Sequence, residues 1–257
     1  MQTLPATVFG QAESFAPTQW SVIVAAGKSQ TDPESSRAAL AQLCQTYWPP
    51  LYTWARARGH SVHDAQDLAQ GFFAYLLEHK IYKRADREKG KFRSFLLASF
   101  KNFLSDAGDR ERAQKRGGGR DFTTFDESRA AAAESIFQSH RSAGEDGFGE
   151  DRLFERTWAE TLVRTALARV AAAYKGEAKE TLFEQLKIFV TIGPAPLPSY
   201  ADLATRLGLA DSTLRSHVTR LRARYREFLR AEVRRTVNTD AEVEGELREL
   251  LRVLSHA

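Results

Sequence analysis

A single cysteine, Cys44, stands in a chain of 257 residues. One thiol excludes an internal disulfide framework and a cysteine-based zinc site, and it fits a reducing, intracellular setting. Long apolar runs are also missing. The best stretches, Ser21–Ala26 and Phe95–Phe100, fall far short of the roughly 18 residues that a membrane span needs. The N-terminus lacks the basic-then-apolar order of a signal peptide. Secreted and membrane-spanning readings are set aside, no membrane is expected as a partner, and the expected compartment is the cytoplasm. The six histidines, His60, His63, His79, His140, His217 and His256, are scattered without metal-ligand spacing. There is no phosphate-binding glycine loop and no nucleophile elbow. Asp64 with Asp67 could form a helical carboxylate pair for a divalent ion, but no third ligand is evident. The expectation is therefore a binding protein and not an enzyme, with no cofactor and no metal.

Apolar residues make up 42% and charged residues 27%, which is ordinary globular composition, enough for one large domain or two of usual size. The net charge of +4 hides a strong segregation. Residues 80–120 carry 13 Lys/Arg against 5 Asp/Glu, residues 121–160 carry 4 against 10, residues 200–235 carry 9 against 4, and residues 236–257 carry 2 against 5. Two basic blocks flanking an acidic one suggest two contacts with a polyanion, most naturally nucleic acid; soluble helix faces give the same arithmetic.

Nearly every segment has helical periodicity, and strand-like alternation is scarce, so the expected class is all-α. Residues 1–19 read as a loose leader. Helices are expected near Gln19–Ala26 and through Ala38, Leu40, Leu43, Cys44 and Tyr47, with Pro49 and Pro50 stopping or kinking the second before it resumes over Leu51–Arg58. Ser61-Val-His-Asp64 is a capping box with Asp in place of Glu. After it, Val62, Ala65, Leu68, Ala69, Phe72, Phe73 and Leu76 form a buried stripe, with Asp64, Asp67, Gly71 and Glu78 opposite. A basic loop, His79–Gly90, leads to a second amphipathic face made by Phe92, Phe95, Leu96, Ser99, Phe100 and Phe103. Residues 117–152, acidic and glycine-containing, read as a linker in which the Ala run 130–133 can form a transient helix. Beyond it, Phe154, Trp158, Leu162, Ala166 and Val170 make an i, i+4 ridge.

The most informative stretch is Ser199–Arg235. Ser199-Tyr-Ala-Asp202 is a second capping box. Ala204, Gly208 and Leu214 have helix-turn-helix spacing: two helices cross closely at the alanine, and glycine makes the tight turn at low cost. On the second helix Ser212, Thr213, Arg215, Ser216, Thr219, Arg220 and Arg222 can face outward, and hydroxyls and guanidinium groups are donors that reach phosphates and guanine edges. An ordinary helical hairpin with a basic face is the alternative. In the first basic block Lys91, Arg93 and Lys101 alternate with Phe92, Phe95, Phe100 and Phe103. Cations can track a backbone and aromatics can stack on unpaired bases, although the helical spacing assigns most of these rings to a core. Ser94, Ala98, Lys101 and Ser105 make a lane of mostly small residues beside Asn102, along which a strand could approach closely.

The run His63–Leu77 (HDAQDLAQGFFAYLL), then Lys89–Leu97 (KGKFRSFLL) and Asn102 to Asp106, resemble the sigma-two domain of bacterial extracytoplasmic-function (ECF) sigma factors. Residues 199–235 are similar to their sigma-four domain, with Thr213–Val218 standing where the family has its recognition helix. The resemblance covers about residues 20–116 and 153–236, in the family's order. It implies two small helical domains: a sigma-two bundle over 20–116 and a sigma-four helix-turn-helix over 153–236, joined by the acidic linker 117–152 and followed by a C-terminal helix over 237–257. It also implies roles. Asp64, Asp67, Gln70 and Glu78 would dock on the clamp helices of the largest subunit of core RNA polymerase. Lys83, Arg84, Lys91, Phe92, Arg93, Lys101 and Asn102 would hold the melted strand of the −10 promoter element. Ser212, Thr213, Arg215, Ser216, Thr219 and Arg220 would read the −35 element as duplex. Promoter DNA and core RNA polymerase are the implied partners, and an anti-sigma factor or other regulator is a candidate third. The competing function is a stand-alone helix-turn-helix regulator, which needs no acidic docking stripe. In the tail, Thr239-Asp-Ala-Glu242 is a further capping box ahead of Val243, Leu247, Leu250, Leu251 and Leu254. That leucine stripe must dock, either on the back of the sigma-four core, which is the expected site, or over Arg215–Arg222.

Overall fold

A computed structural model describes residues 33–85, 90–113, 127–142, 149–191, 197–237 and 239–255. The expected leader, the helix near Gln19–Ala26 and the glycine break at 115–120 lie outside these. Among the described residues there are nine α-helices and no strand, so the class is all-α. They are α1 (Pro33–Ala57), α2 (Val62–Glu78), α3 (Phe92–Ala113), α4 (Glu127–Ser142), α5 (Glu150–Gly176), α6 (Glu180–Leu186), α7 (Tyr200–Leu207), α8 (Asp211–Thr236) and α9 (Val243–Ser255). Short 3-10 turns lie at Ile81–Arg84, Lys187–Phe189 and Asp240–Glu242. No described helix is long and apolar enough to cross a membrane.

Two hydrophobic cores organise these helices. The first gathers α1, α2, α3, α4, the N-terminal half of α5 and the far end of α8, around Tyr47, Leu51, Phe72, Leu96, Phe100 and Trp158. The second gathers the C-terminal half of α5, α6, α7 and the start of α8, around Val170, Phe183, Leu186, Leu203, Leu214 and Val218. One helix serves both because of its ridge. Phe154, Trp158, Leu162, Ala166, Val170 and Tyr174 are all buried, each four residues after the last. Four residues overshoot a full turn by about 40°, so the ridge winds by roughly 200° over its five steps and faces opposite sides at its two ends. Thus the expected boundary at residue 153 corresponds to no gap: α5 belongs to both cores.

Three further expectations are corrected. Pro49 and Pro50 do not stop the helix: both lie inside α1, which is helical from Pro33 to Ala57. Both are buried, and the surrounding side chains hold the helix in place of the missing N–H bonds; Trp48 and Tyr52 stack across them at 5.0 Å. The segment 117–152 is not a bare linker. Its residues Glu127–Ser142 form α4, whose Ala130, Ala133, Ile136 and Phe137 are buried. Polar contacts tie α4 down: Arg56 donates two 3.0 Å hydrogen bonds to Glu134, and His140 Nε2 sits 3.2 Å from Glu160. Alanine costs little side-chain entropy in a helix, so a few apolar contacts suffice to dock it.

The third correction concerns the tail. Helix α9 docks neither on the back of the second core nor over Arg215–Arg222. It packs on α5 and α8, and its Val243 and Leu250 join the first core. Thr239 makes no side-chain cap bond to the helix; its hydroxyl donates to the Glu242 carboxylate at 3.1 Å, and α9 starts only at Val243.

Candidate nucleic-acid interface

The helix-turn-helix is built as its spacing requires. Ser199 Oγ accepts from the Asp202 amide at 3.1 Å, which starts α7. Gly208 has φ +65°, the left-handed turn that favours glycine, and the Leu209 amide closes it on the Ala204 carbonyl at 2.9 Å. Helix α8 then begins after Ala210, which offers no side-chain cap; Asp211 sits in the first turn, where its charge suits the helix dipole. Leu214, Val218 and Leu221 are buried against the second core, whereas Ser212, Thr213, Arg215, Ser216, Thr219 and Arg220 are all exposed. Arg215 is held ready: Asp211 accepts from its Nε at 2.6 Å, and its guanidinium lies 4.7 Å from the Tyr200 ring centre. The Asp211 hydrogen bond and charge raise its pKa further. The hydroxyls of Ser216 and Thr219 donate to carbonyls one turn back, at 3.0 and 2.9 Å. By contrast Arg222 and Arg224 lean back toward the second core, Arg222 to the Phe189 carbonyl and Arg224 to Glu177 at 2.7 Å. The outward face thus carries four hydroxyls and two guanidinium groups; with the Ser216 and Thr219 protons given to carbonyls, the guanidinium groups are its chief donors to phosphates and base edges, and the hydroxyl oxygens still accept.

The acidic row lies on the other core. Ser61 caps α2, accepting from the Asp64 amide at 3.1 Å. Ala65, Ala69, Phe72, Phe73 and Leu76 face inward; Asp64, Asp67 and Glu78 are exposed and Gln70 is half-buried beside them. The hydrogen bond from Ser61 holds the Asp64 carboxyl below its usual range, so Asp64 is charged at neutral pH. His63 Nε2 lies 3.7 Å from Asp67. Val62, expected inside, is exposed. Helix α2 ends where Lys80 turns left-handed at φ +50°, and Ile81 and Tyr82 then plug the first core. Arg84 is exposed beyond them; the Lys83 side chain is outside the described residues.

The expected −10 surface is only partly a surface. Phe92 is buried and meets Tyr47 edge-on at 5.5 Å. Phe100 is buried against Trp54 and Phe72, and Phe103 is half-buried against Phe72 and Tyr75. These rings satisfy one another and are not offered to bases. Arg93 is buried as well: Glu155 accepts from its Nε at 2.6 Å, Glu246 accepts from its Nη1, and its guanidinium lies 4.1 Å from the Trp158 ring centre. Phe92 and Arg93 are therefore withdrawn as strand contacts of this conformation, because both fill the junction between α1, α3, α5 and α9. Lys91 stays half-exposed with Nζ 2.9 Å from Glu246. Burial and the neighbouring Arg93 lower its pKa. Lys101 is half-buried and pairs with Asp151 at 2.6 Å; Asp151 also accepts from Trp54 Nε1 at 2.9 Å. The lane remains open: Ser94, Ala98, Asn102 and Ser105 are exposed on α3.

The partners of α3 that are distant in sequence, Asp151, Glu155, Trp158 and Glu246, are not visible as such in the sequence. No short-range spacing links them to α3. The one trace in the sequence is the acidic balance of residues 236–257, set against two basic blocks. Among the described residues no group of three or more His, Cys, Asp or Glu could hold a metal ion. No family model matches the chain, and no curated protein or solved structure matches it.

Proposed function

We propose that this chain is an ECF-type sigma factor that binds core RNA polymerase and directs promoter-specific initiation in the cytoplasm. The single observation that carries the proposal is a pairing of surfaces. A helix-turn-helix with an exposed Arg215/Arg220 face sits on one core, and an exposed acidic row, Asp64, Asp67 and Glu78, sits on the other. A duplex-binding protein gains nothing from a row of carboxylates that repels phosphate; a subunit that must also dock on a protein does. In this reading Asp64, Asp67, Gln70 and Glu78 engage the clamp helices of the polymerase largest subunit. Ser212, Thr213, Arg215, Ser216, Thr219 and Arg220 read the −35 duplex. The open lane of α3 with Lys101 and Asn102, together with Arg84 and Lys83, receives the melted −10 strand. Sequence resemblance over both regions supports the same assignment, and an anti-sigma factor or other regulator would act on these surfaces.

A second reading, a stand-alone helix-turn-helix regulator, is favoured by one observation: α5 and α8 run through both cores, so the helix-turn-helix is not suspended on a free linker. One experiment separates the two. Asp64→Lys with Asp67→Lys should leave helical content and Tm nearly unchanged, since both side chains are exposed, and should abolish co-purification with core RNA polymerase. Wild-type protein that fails to bind the core enzyme, yet binds duplex operator DNA tightly, retires the sigma reading.

A further inference from the structure

The carboxylates of α9 and of the turn before it are not turned wholly to water. Asp240 pairs with Arg234, Glu244 with Arg230, and Glu246 with both Arg93 and Lys91. Each of these four cations comes from one of the two basic blocks: Lys91 and Arg93 from the start of α3, Arg230 and Arg234 from the far end of α8. The tail thus lies between the two blocks: Glu246, on the buried side of α9 with Val243 and Leu250, faces Lys91 and Arg93, and Glu244, about 200° round the helix, faces Arg230, so the cations line the two walls of the seam that α9 fills. Val243 and Leu250 are buried and Leu247 and Leu254 packed, while Leu251 stays 59% exposed.

Carboxylates and phosphates are interchangeable partners for such cations, because both offer paired anionic oxygens to a guanidinium fork. We propose that α9 is an internal occupant of a polyanion-binding seam formed by Lys91, Arg93, Arg230 and Arg234, and that the sugar-phosphate backbone of a DNA strand displaces it. The choice of DNA as the displacing polyanion rests on the proposed function; the seam and its occupant do not. The geometry makes displacement tolerable. When Glu246 leaves, Arg93 keeps Glu155 at 2.6 Å and the face of Trp158 at 4.1 Å, so no buried charge is stranded in the first core. Lys91, Arg230 and Arg234 are left with their charge facing solvent or a new anion. A helix of 13 residues has little stability of its own in water, so α9 holds its shape chiefly while docked.

The test uses the full chain without polymerase. Binding of a fluorescent oligo-dT is followed by anisotropy for wild type and for the triple variant Asp240→Asn/Glu244→Gln/Glu246→Gln. We expect binding at least roughly fivefold tighter in the variant, a steeper salt dependence, and loss of the gain when Lys91→Gln and Arg230→Gln are added. A charge-matched control, Glu180→Gln/Glu184→Gln/Glu227→Gln, alters three exposed carboxylates elsewhere and should give a clearly smaller gain. Equal gains in the two triple variants overturn the proposal. A readout that needs no variant is amide exchange in wild type: saturating oligo-dT should deprotect residues 243–255, and unchanged protection overturns the proposal even if the triple variant fails to fold. A chain that releases α9 on DNA but ignores core polymerase retires the sigma reading alone. A chain that binds polymerase while α9 stays protected on DNA retires the seam alone.

Discussion

Glu134 is the side chain on which the docking of α4 turns, and Glu134→Gln isolates its charge. Arg56 donates to it from Nε and Nη2, both at 3.0 Å, Gln138 donates at 2.7 Å, and the Tyr52 hydroxyl donates as well. Burial pushes the carboxyl up, but the hydrogen bonds from Arg56, Tyr52 and Gln138 and the charge of Arg56 outweigh it and bring its pKa from 4.5 down to about 2. A fall of that size corresponds to roughly 3 kcal/mol at the limit. The Glu134 side chain is 23% exposed, so solvent screening reduces the effect to about 1–2 kcal/mol. Because the folded pKa lies below the unfolded one, the stabilisation is fully present above about pH 4.5 and is lost as the pH falls toward about 2. Glu134→Gln keeps the shape and removes the anion. At pH 7 the variant should therefore be about 1–2 kcal/mol less stable in urea, a midpoint shift of roughly 0.5 M. The gap should close on titration through pH 4 to pH 2.5. Since α4 could open without the rest of the chain, amide exchange over Glu127–Ser142 is measured alongside. A variant as stable as wild type at pH 7, with unchanged exchange in α4, refutes this account of why α4 is docked; so does a gap that persists undiminished at pH 2.5.

Two other outcomes follow from the helix-turn-helix. At Gly208 an added Cβ would meet nothing within 4 Å, so Gly208→Ala costs only the left-handed backbone at φ +65°, about 1 kcal/mol; differential scanning calorimetry should show a Tm lower by a few degrees, with DNA affinity at low temperature little changed. Arg220→Ala removes an exposed guanidinium and should cost roughly 1–3 kcal/mol of duplex discrimination if it reads a base, whereas a uniform loss across sequences with a shallower salt slope assigns it to phosphate.

Most local signals are legible in the sequence, although the Thr239 box does not cap and Val62 is exposed. Ser61 and Ser199 cap as their boxes require, Gly208 turns where the spacing puts it, and Ala65, Ala69, Phe72 and Leu76 are buried on one face of α2. These features depend on neighbours within one or two turns. What could not be read was set by contacts across 60 to 150 residues. Arg93 looks like a surface cation by position and chemistry; it is buried because Glu155, 62 positions on, and Glu246, 153 positions on, complete its hydrogen bonds. Pro49 and Pro50 look like a break by propensity, and tertiary packing overrides them in α1. The ridge on α5 is visible in the sequence as a period of four, but which core each end of it faces is set by distant partners, so the period alone assigns the helix to one domain where it serves two cores.

That winding also limits how the two surfaces can move apart. Helix α8, with 26 residues, is about 39 Å long; its first turns carry the outward arginines and its last turns are buried in the first core through Val233, with Val237 just beyond. Beside them Glu232, almost fully buried, is clamped by Arg169 of α5 at 2.6 Å and by Arg235 at 3.2 Å. Separating the cores while keeping α5 intact therefore means peeling the end of α8, with α9 attached, from the side of α5. That motion uncovers Val233 and Val237 and leaves Glu232 to rehydrate, so it is unfavourable unless new contacts replace what is lost. Arg230 and Arg234 are carried on the same peeling segment, and both face carboxylates of the tail. A polyanion that takes those carboxylates' place would hold the end of α8 as well as free α9. In the proposed function, occupation of the seam and the relative placement of the two DNA-reading surfaces are then one equilibrium, because the same helix ends serve both.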